Sequence, residues 1–213
     1  MKKLFPLLIA LLILITNTDI DSKNKFNDGI YFSGVVGSYQ SGQSDSRNGL
    51  STLSIGAGFG IPLFTNAYLY NKISYHSKSN FSAYQNSYIQ HGIGVVHEIE
   101  RVNASFSQII YNGGLQYNIQ FSDEISVGLT GGLTYSIVSQ EVFALSGVQI
   151  QNIDNEGLFG YFGGLSVEKR FDDSDLSVIG EAQYLYFDSN RVLFTRSLSG
   201  MNYSFGFKYY LTR

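Results

Sequence analysis

Eight stretches of this chain alternate apolar and polar residues with a period of two, the repeat of a β-strand. The clearest is 200–211. Met201, Tyr203, Phe205, Phe207, Tyr209 and Leu211 fall on one face, and Asn202, Ser204, Gly206, Lys208 and Tyr210 on the other. The first face is too large and aromatic for the wet side of a small soluble sheet. The second is too small and polar for a dry core. A strand between lipid and a polar lumen requires this division.

The same pattern predicts strands over 29–40, 51–63, 67–77, 106–121, 125–139, 158–171 and 176–187. In the second, Leu53, Ile55, Ala57, Phe59 and Ile61 oppose Thr52, Ser54, Gly56, Gly58 and Gly60. In the fourth, Ile109, Tyr111, Leu115, Tyr117, Ile119 and Phe121 oppose Gln108, Asn112, Gly114, Gln116, Asn118 and Gln120. Short connections near 62–66, 122–124 and 172–175 alternate with longer ones near 41–50, 78–105, 140–157 and 188–199. Eight antiparallel strands, with short turns on the periplasmic side and long external loops, produce this order. The expected fold is an all-β, eight-stranded up-and-down transmembrane barrel over 29–211. The stretch 78–105 reads as a long loop carrying a strand extension or hairpin. If it instead added two membrane strands, the barrel would have ten.

Composition agrees with many long strands: 16 Tyr, 16 Phe and 23 Gly against 2 Pro and no Trp. The net charge of −3 leaves no basic footprint for nucleic acid. The absence of cysteine excludes disulfides, thiolate metal sites and a cysteine nucleophile. Met1-Lys2-Lys3 followed by an apolar run over 4–15 is too short to span a bilayer as a helix. Residues 1–18 read as a cleaved secretory signal and 19–28 as a periplasmic lead.

The order Ser204-x-Gly206-x-x-Tyr209-x-Leu211 resembles the C-terminal insertion signal of bacterial outer-membrane barrels, although Thr212 and Arg213 follow it here. Signal, barrel pattern and terminal motif together resemble the small porin-like outer-membrane β-barrel family of OmpA- and OmpX-type barrels. That resemblance implies residence in the outer membrane of a Gram-negative-type bacterium. It also implies outer-membrane lipid and lipopolysaccharide, periplasmic chaperones and the barrel-assembly machinery as partners, with a monomer as the expected state.

Chemistry is sparser. Glu168, Arg170, Glu181 and Lys208 fall on inward faces of three consecutive strands, and Lys72 approaches from the third strand. They read as a charge-paired plug, because an unpaired charge in a closed interior is costly; an ion gate is the other reading. His76 with Ser79-Asn80 distantly resembles the His and Ser of outer-membrane lipid A deacylases, without an assignable acid; otherwise His76 is a rim histidine. His91 and His97 are too widely spaced for ligands on one strand and read as solvated, so neither a metal nor a cofactor is expected. Gly56-x-Gly58-x-Gly60 lies inside a strand with no helix after it, which excludes a nucleotide loop; its glycines relieve crowding in the lumen. The expected role is non-enzymatic: an envelope-structural or surface-interacting protein acting through its external loops. A narrow channel is the first alternative and a lipid A-modifying enzyme the second.

Overall fold

The computed structural model describes residues 29–41, 50–91, 94–171, 174–188 and 198–212, with side chains described outside 83–100 and 212. The expected signal and lead, 1–28, lie outside the described residues. Eight strands form one closed ring: β1 (Gly29–Ser41), β2 (Ser51–Phe64), β3 (Ala67–His91), β4 (Gly94–Gln120), β5 (Ile125–Phe143), β6 (Gln149–Arg170), β7 (Leu176–Phe187) and β8 (Gly200–Thr212). Each pairs antiparallel with the next. β1 closes on β8 from Gly29↔Thr212 to Ser41↔Gly200. Closure matters because lipid offers no partner for an unpaired amide.

Every strand places its faces as the alternation requires. Phe32, Val36, Ile55, Leu115, Leu165 and Phe205 stand exposed on the outside, while Tyr31, Val35, Ser54, Gln116, Ser166 and Ser204 are buried within. Two aromatic belts bound the apolar wall. Phe64, Phe121, Phe171 and Tyr209 ring the short-turn end, and Tyr75, Tyr111, Tyr135, Phe159 and Tyr186 ring the other. From Tyr111 to Phe121 a strand rising ~3.3 Å per residue and tilted ~40° climbs about 25 Å, the height of a membrane-barrel apolar band. Lys169, the outward lysine, sits at the short-turn rim 3.8 Å from Glu124.

The turns close through local hydrogen bonds. Asn66 takes φ 64° between β2 and β3. Ser122 Oγ accepts from the Ile125 amide at 3.1 Å, and Ser174 Oγ from that of Leu176 at 3.1 Å. Gly60 is required by a close approach, since a Cβ there would run into the Tyr31 ring that fills the lumen beside it.

Two expectations are corrected. The stretch 78–105 is almost wholly the strand extension and hairpin of one reading, not open loop, and the ten-strand alternative falls because it adds no strands. β3 and β4 run straight through it, paired to His91↔Gly94. Likewise β5 and β6 extend through most of 140–157, leaving only 144–148 as the tip, with Gly147 at φ 84°. The barrel therefore has eight strands, not ten. The extensions escape a periodicity reading for two reasons. On the outward face above the membrane, polar residues such as Arg101, Asn103, Ser105 and Glu141 replace the lipid-facing apolar ones. Each hairpin also carries a bulge, between Lys78 and Phe81 on β3 and between Glu156 and Ile153 on β6, whose extra residue swaps the faces.

Candidate functional site

The lumen is built in layers. Nearest the short turns, Tyr31, Tyr68 and Tyr210 come from β1, β3 and β8. Tyr31 lies 5.4 Å from Tyr68 and 5.7 Å from Tyr210, ring centre to ring centre. Tyr31 Oη donates to Gln116 Oε1 at 2.5 Å.

Within and above this layer sit two buried ion pairs. Lys208 Nζ lies 2.8 Å from Glu168 Oε2 and 4.4 Å over the Tyr31 ring. Ser177 and Tyr210 each donate a hydroxyl to Glu168 Oε1 at 2.7 Å. Lys72 of β3 pairs with Glu181 of β7, and Ser204 Oγ donates to the same Glu181 oxygen at 3.0 Å. With eight strands in the ring, β3 and β7 face each other, so this pair bridges the full lumen. The four side chains are at most 5 % exposed, and their formal charges cancel. A narrow interior tolerates charge on these terms: paired, with remaining lone pairs taken by hydroxyl donors.

Arg170 stands apart from this cluster. Its Nη2 is 3.7 Å from Asp175 Oδ1, its Nε donates to the Ser174 carbonyl, and its guanidinium lies 4.9 Å over the Tyr210 ring. It caps the tyrosine layer at the turn, because its strand position is one step nearer the rim than Glu168. Arg170→Ala should therefore cost about 1 kcal/mol, as for a partly buried pair at 3.7 Å with a cation–π contact. Urea unfolding in lipid vesicles would read this against the larger loss predicted for Glu181.

Above the charges, Gln183 Nε2 donates to Tyr70 Oη at 2.7 Å. Then the lumen turns apolar. Phe106, Val138, Leu158, Phe162, Leu185 and Phe187 pack together inside the extracellular half, joined by Leu50 and Leu198 from the strand approaches. This plug escaped the sequence reading. Its trace was there in Leu158-Phe159 and in Leu185-Tyr186-Phe187, where apolar residues run without alternation, the mark of burial on both faces.

His76 is not a rim residue. It is fully buried in the lumen, edge-on to Tyr39 at 5.0 Å. Ser79, beyond it, lies on the exposed outer wall. A histidine inside and a serine outside cannot act together on a lipid of the surrounding leaflet. The side chains of His91 and His97 lie outside the described residues; their backbones pair within the β3–β4 hairpin, His91 with Gly94 and His97 with Tyr88. The terminal motif is on β8, with Ser204 and Gly206 inward and Tyr209 and Leu211 outward at the short-turn end.

A closed eight-stranded ring with an apolar outer wall, two aromatic belts and a packed interior has the fold of the small outer-membrane β-barrels. Solved structures agree. The chain is similar to Ail, the attachment invasion locus protein of Yersinia pestis, with TM-score 0.56, 7% identity and coverage of 87% of this chain and 100% of that one. It is also similar to a major outer membrane protein of Thermus thermophilus, with TM-score 0.51, 10% identity and coverage of 85% and 99%. A third is Neisserial surface protein A, with TM-score 0.50, 12% identity and coverage of 86% and 97%. No protein-family model and no curated sequence matches the chain.

Proposed function

We propose that this protein is a non-enzymatic outer-membrane barrel whose working part is the sheet standing above the membrane. The observation that carries this is the contrast between its two ends. Among the described residues the lumen holds paired charges and then a packed apolar plug, an arrangement that opposes a continuous polar path. Conduction needs such a path, and open porins need about 16 strands to hold one.

Outside, β3, β4, β5 and β6 rise past their neighbours. β2 pairs with β3 only as far as Ser77, and β7 with β6 only as far as Gly160. Beyond those points the outer edges of β3 and β6 have no strand beside them among the described residues. Such edges can accept a partner's strand. The β5–β6 tip also exposes Leu145, Val148 and Ile150, apolar residues with no lipid beside them. An attachment role, as the name of the Yersinia protein states for that molecule, is consistent with this surface. Assembly through the Ser204-Gly206-Tyr209-Leu211 signal, with chaperones and the barrel-assembly machinery as partners, belongs to the same reading.

Two measurements test it. The refolded protein, its folding verified by a heat-dependent gel shift, is added to planar bilayers. Silence is expected, and steady current steps would establish a channel instead. Cells displaying the protein are then incubated with epithelial monolayers and octyl-coated beads. Retention should exceed that of cells lacking it and should fall several-fold in Leu145→Asp/Val148→Asp. Unchanged retention would remove the tip from the function.

A further inference from the structure

We infer that the outer wall of the protruding sheet binds the sugar headgroup of a glycolipid in the protein's own membrane. A concavity of about 370 Å³ lies on that wall, above Tyr75 of the outer aromatic belt. Its size falls in the range of small-ligand sites. The register explains how it forms. Ser77, Ser107 and Ser139 stand abreast on β3, β4 and β5, and Ser105 pairs with Glu141 one step higher. Below this row the outward residues are Tyr75, Ile109 and Ile137. Replacing large side chains by hydroxymethyl groups lowers the surface by most of a side chain's depth.

The two bulges bound the trough. At each, an asparagine takes a left-handed conformation, Asn80 at φ 51° and Asn155 at φ 53°. The Asn80 amide donates to Ser105 Oγ at 3.4 Å, and the Asn155 amide to Ser139 Oγ at 3.3 Å. The serines are thereby tied to bulges on both flanking strands, so the trough is part of the folded sheet.

The lining chooses the ligand. Serine hydroxyls both donate and accept. Glu141 and Asp154 add carboxylates that form no salt bridge among the described residues. No lysine or arginine lines the concavity. This set suits a ring rich in hydroxyl or amino donors and does not suit a bare phosphate. Three strands at ~4.8 Å spacing give a row about 10 Å across, the span of one or two sugar rings. The opening faces sideways, just above the aromatic belt, where the headgroups of the surrounding leaflet lie. This inference rests on the membrane placement of the barrel and not on the attachment reading, and the tests separate them.

The full-length protein in phosphatidylcholine nanodiscs, with and without rough lipopolysaccharide, would be followed by amide NMR at Ser77, Ser105 and Ser139. Lipopolysaccharide should shift these amides, and enzymatically dephosphorylated lipopolysaccharide should shift them equally. Ser107→Leu, which fills the trough, and Glu141→Gln/Asp154→Asn, which removes its charged acceptors, should each weaken the response about tenfold while keeping the heat-dependent gel shift. Three outcomes would overturn the assignment: no shift, a shift that persists in both variants, or one that disappears with the phosphates. Free D-glucosamine should act only at far higher concentration. If it matched lipopolysaccharide, the site would be a receptor for soluble sugar and the glycolipid assignment would fail. Bead and monolayer retention should be unaffected by Ser107→Leu.

Discussion

Glu181→Ala is expected to lower the unfolding free energy by about 3–5 kcal/mol, the usual loss when one partner of a buried ion pair is removed. The reason is what remains. Lys72 is 2 % exposed, and without the carboxylate its ammonium keeps only Ser204 Oγ, at 3.4 Å, among its described partners. The other buried carboxylate, Glu168, is already held by Lys208. Urea unfolding in lipid vesicles measures the loss. Lys72→Met should cost a comparable amount. The double variant Lys72→Met/Glu181→Leu should recover most of it, since no charge is then stranded in the lumen. A double-mutant cycle with little coupling energy would show that the pair does not act as a unit. Glu124→Ala, at the exposed rim pair with Lys169, is the comparison. It should change stability by no more than about 0.5 kcal/mol.

Leu165→Arg should cost about 2–4 kcal/mol in a bilayer, the penalty for arginine near the midplane of a barrel's lipid face. Leu165 lies midway along the spanning part of β6 and is 55 % exposed. Leu145, at the tip of the β5–β6 hairpin, is 66 % exposed. By exposure alone the two leucines are alike, and in a water-soluble protein Leu→Arg at either would be nearly neutral. In a membrane barrel they differ, because lipid surrounds Leu165 and water surrounds Leu145. Leu145→Arg should therefore leave vesicle stability within about 0.5 kcal/mol of the parent. Equal effects at the two sites would contradict the placement of the wall in lipid.

Both predictions draw on the part of the protein most legible in its amino acids. Where a strand has lipid on one side and a lumen on the other, each residue reports its face. β7 and β8 show this best. Val178, Ala182, Tyr184 and Tyr186 alternate with Glu181 and Gln183, and Phe205 and Phe207 with Ser204 and Lys208; the structure keeps every one on its expected side. Legibility fails where the pattern shifts or the two environments become alike. Around the hairpin above Lys78 the bulge at Asn80 shifts the period of two on β3, and on β4 the buried Val102 and Ala104 fall out of step with the apolar alternation below. In the upper lumen both faces are apolar, so Leu158-Phe159 and Leu185-Tyr186-Phe187 lose the alternation and show burial without showing which residues pack together.

The candidate site divides the same way. That Glu168, Glu181 and Lys208 point inward follows from parity alone, since neighbours two apart share a face. Which charge meets which does not follow, because pairing depends on the height of each strand around the ring. Register sets Lys72 opposite Glu181 across the lumen, carries Arg170 one step out to Asp175, and buries His76 beside Tyr39. The amino acids by themselves determined a lipid-facing barrel of eight strands, because alternation is a local property that each strand carries on its own. Only the tertiary structure decided that apolar side chains pack together in the upper lumen and that a four-stranded sheet with a serine-lined trough stands above it. Those features arise from contacts between residues far apart in the chain, and closure and register alone bring them together.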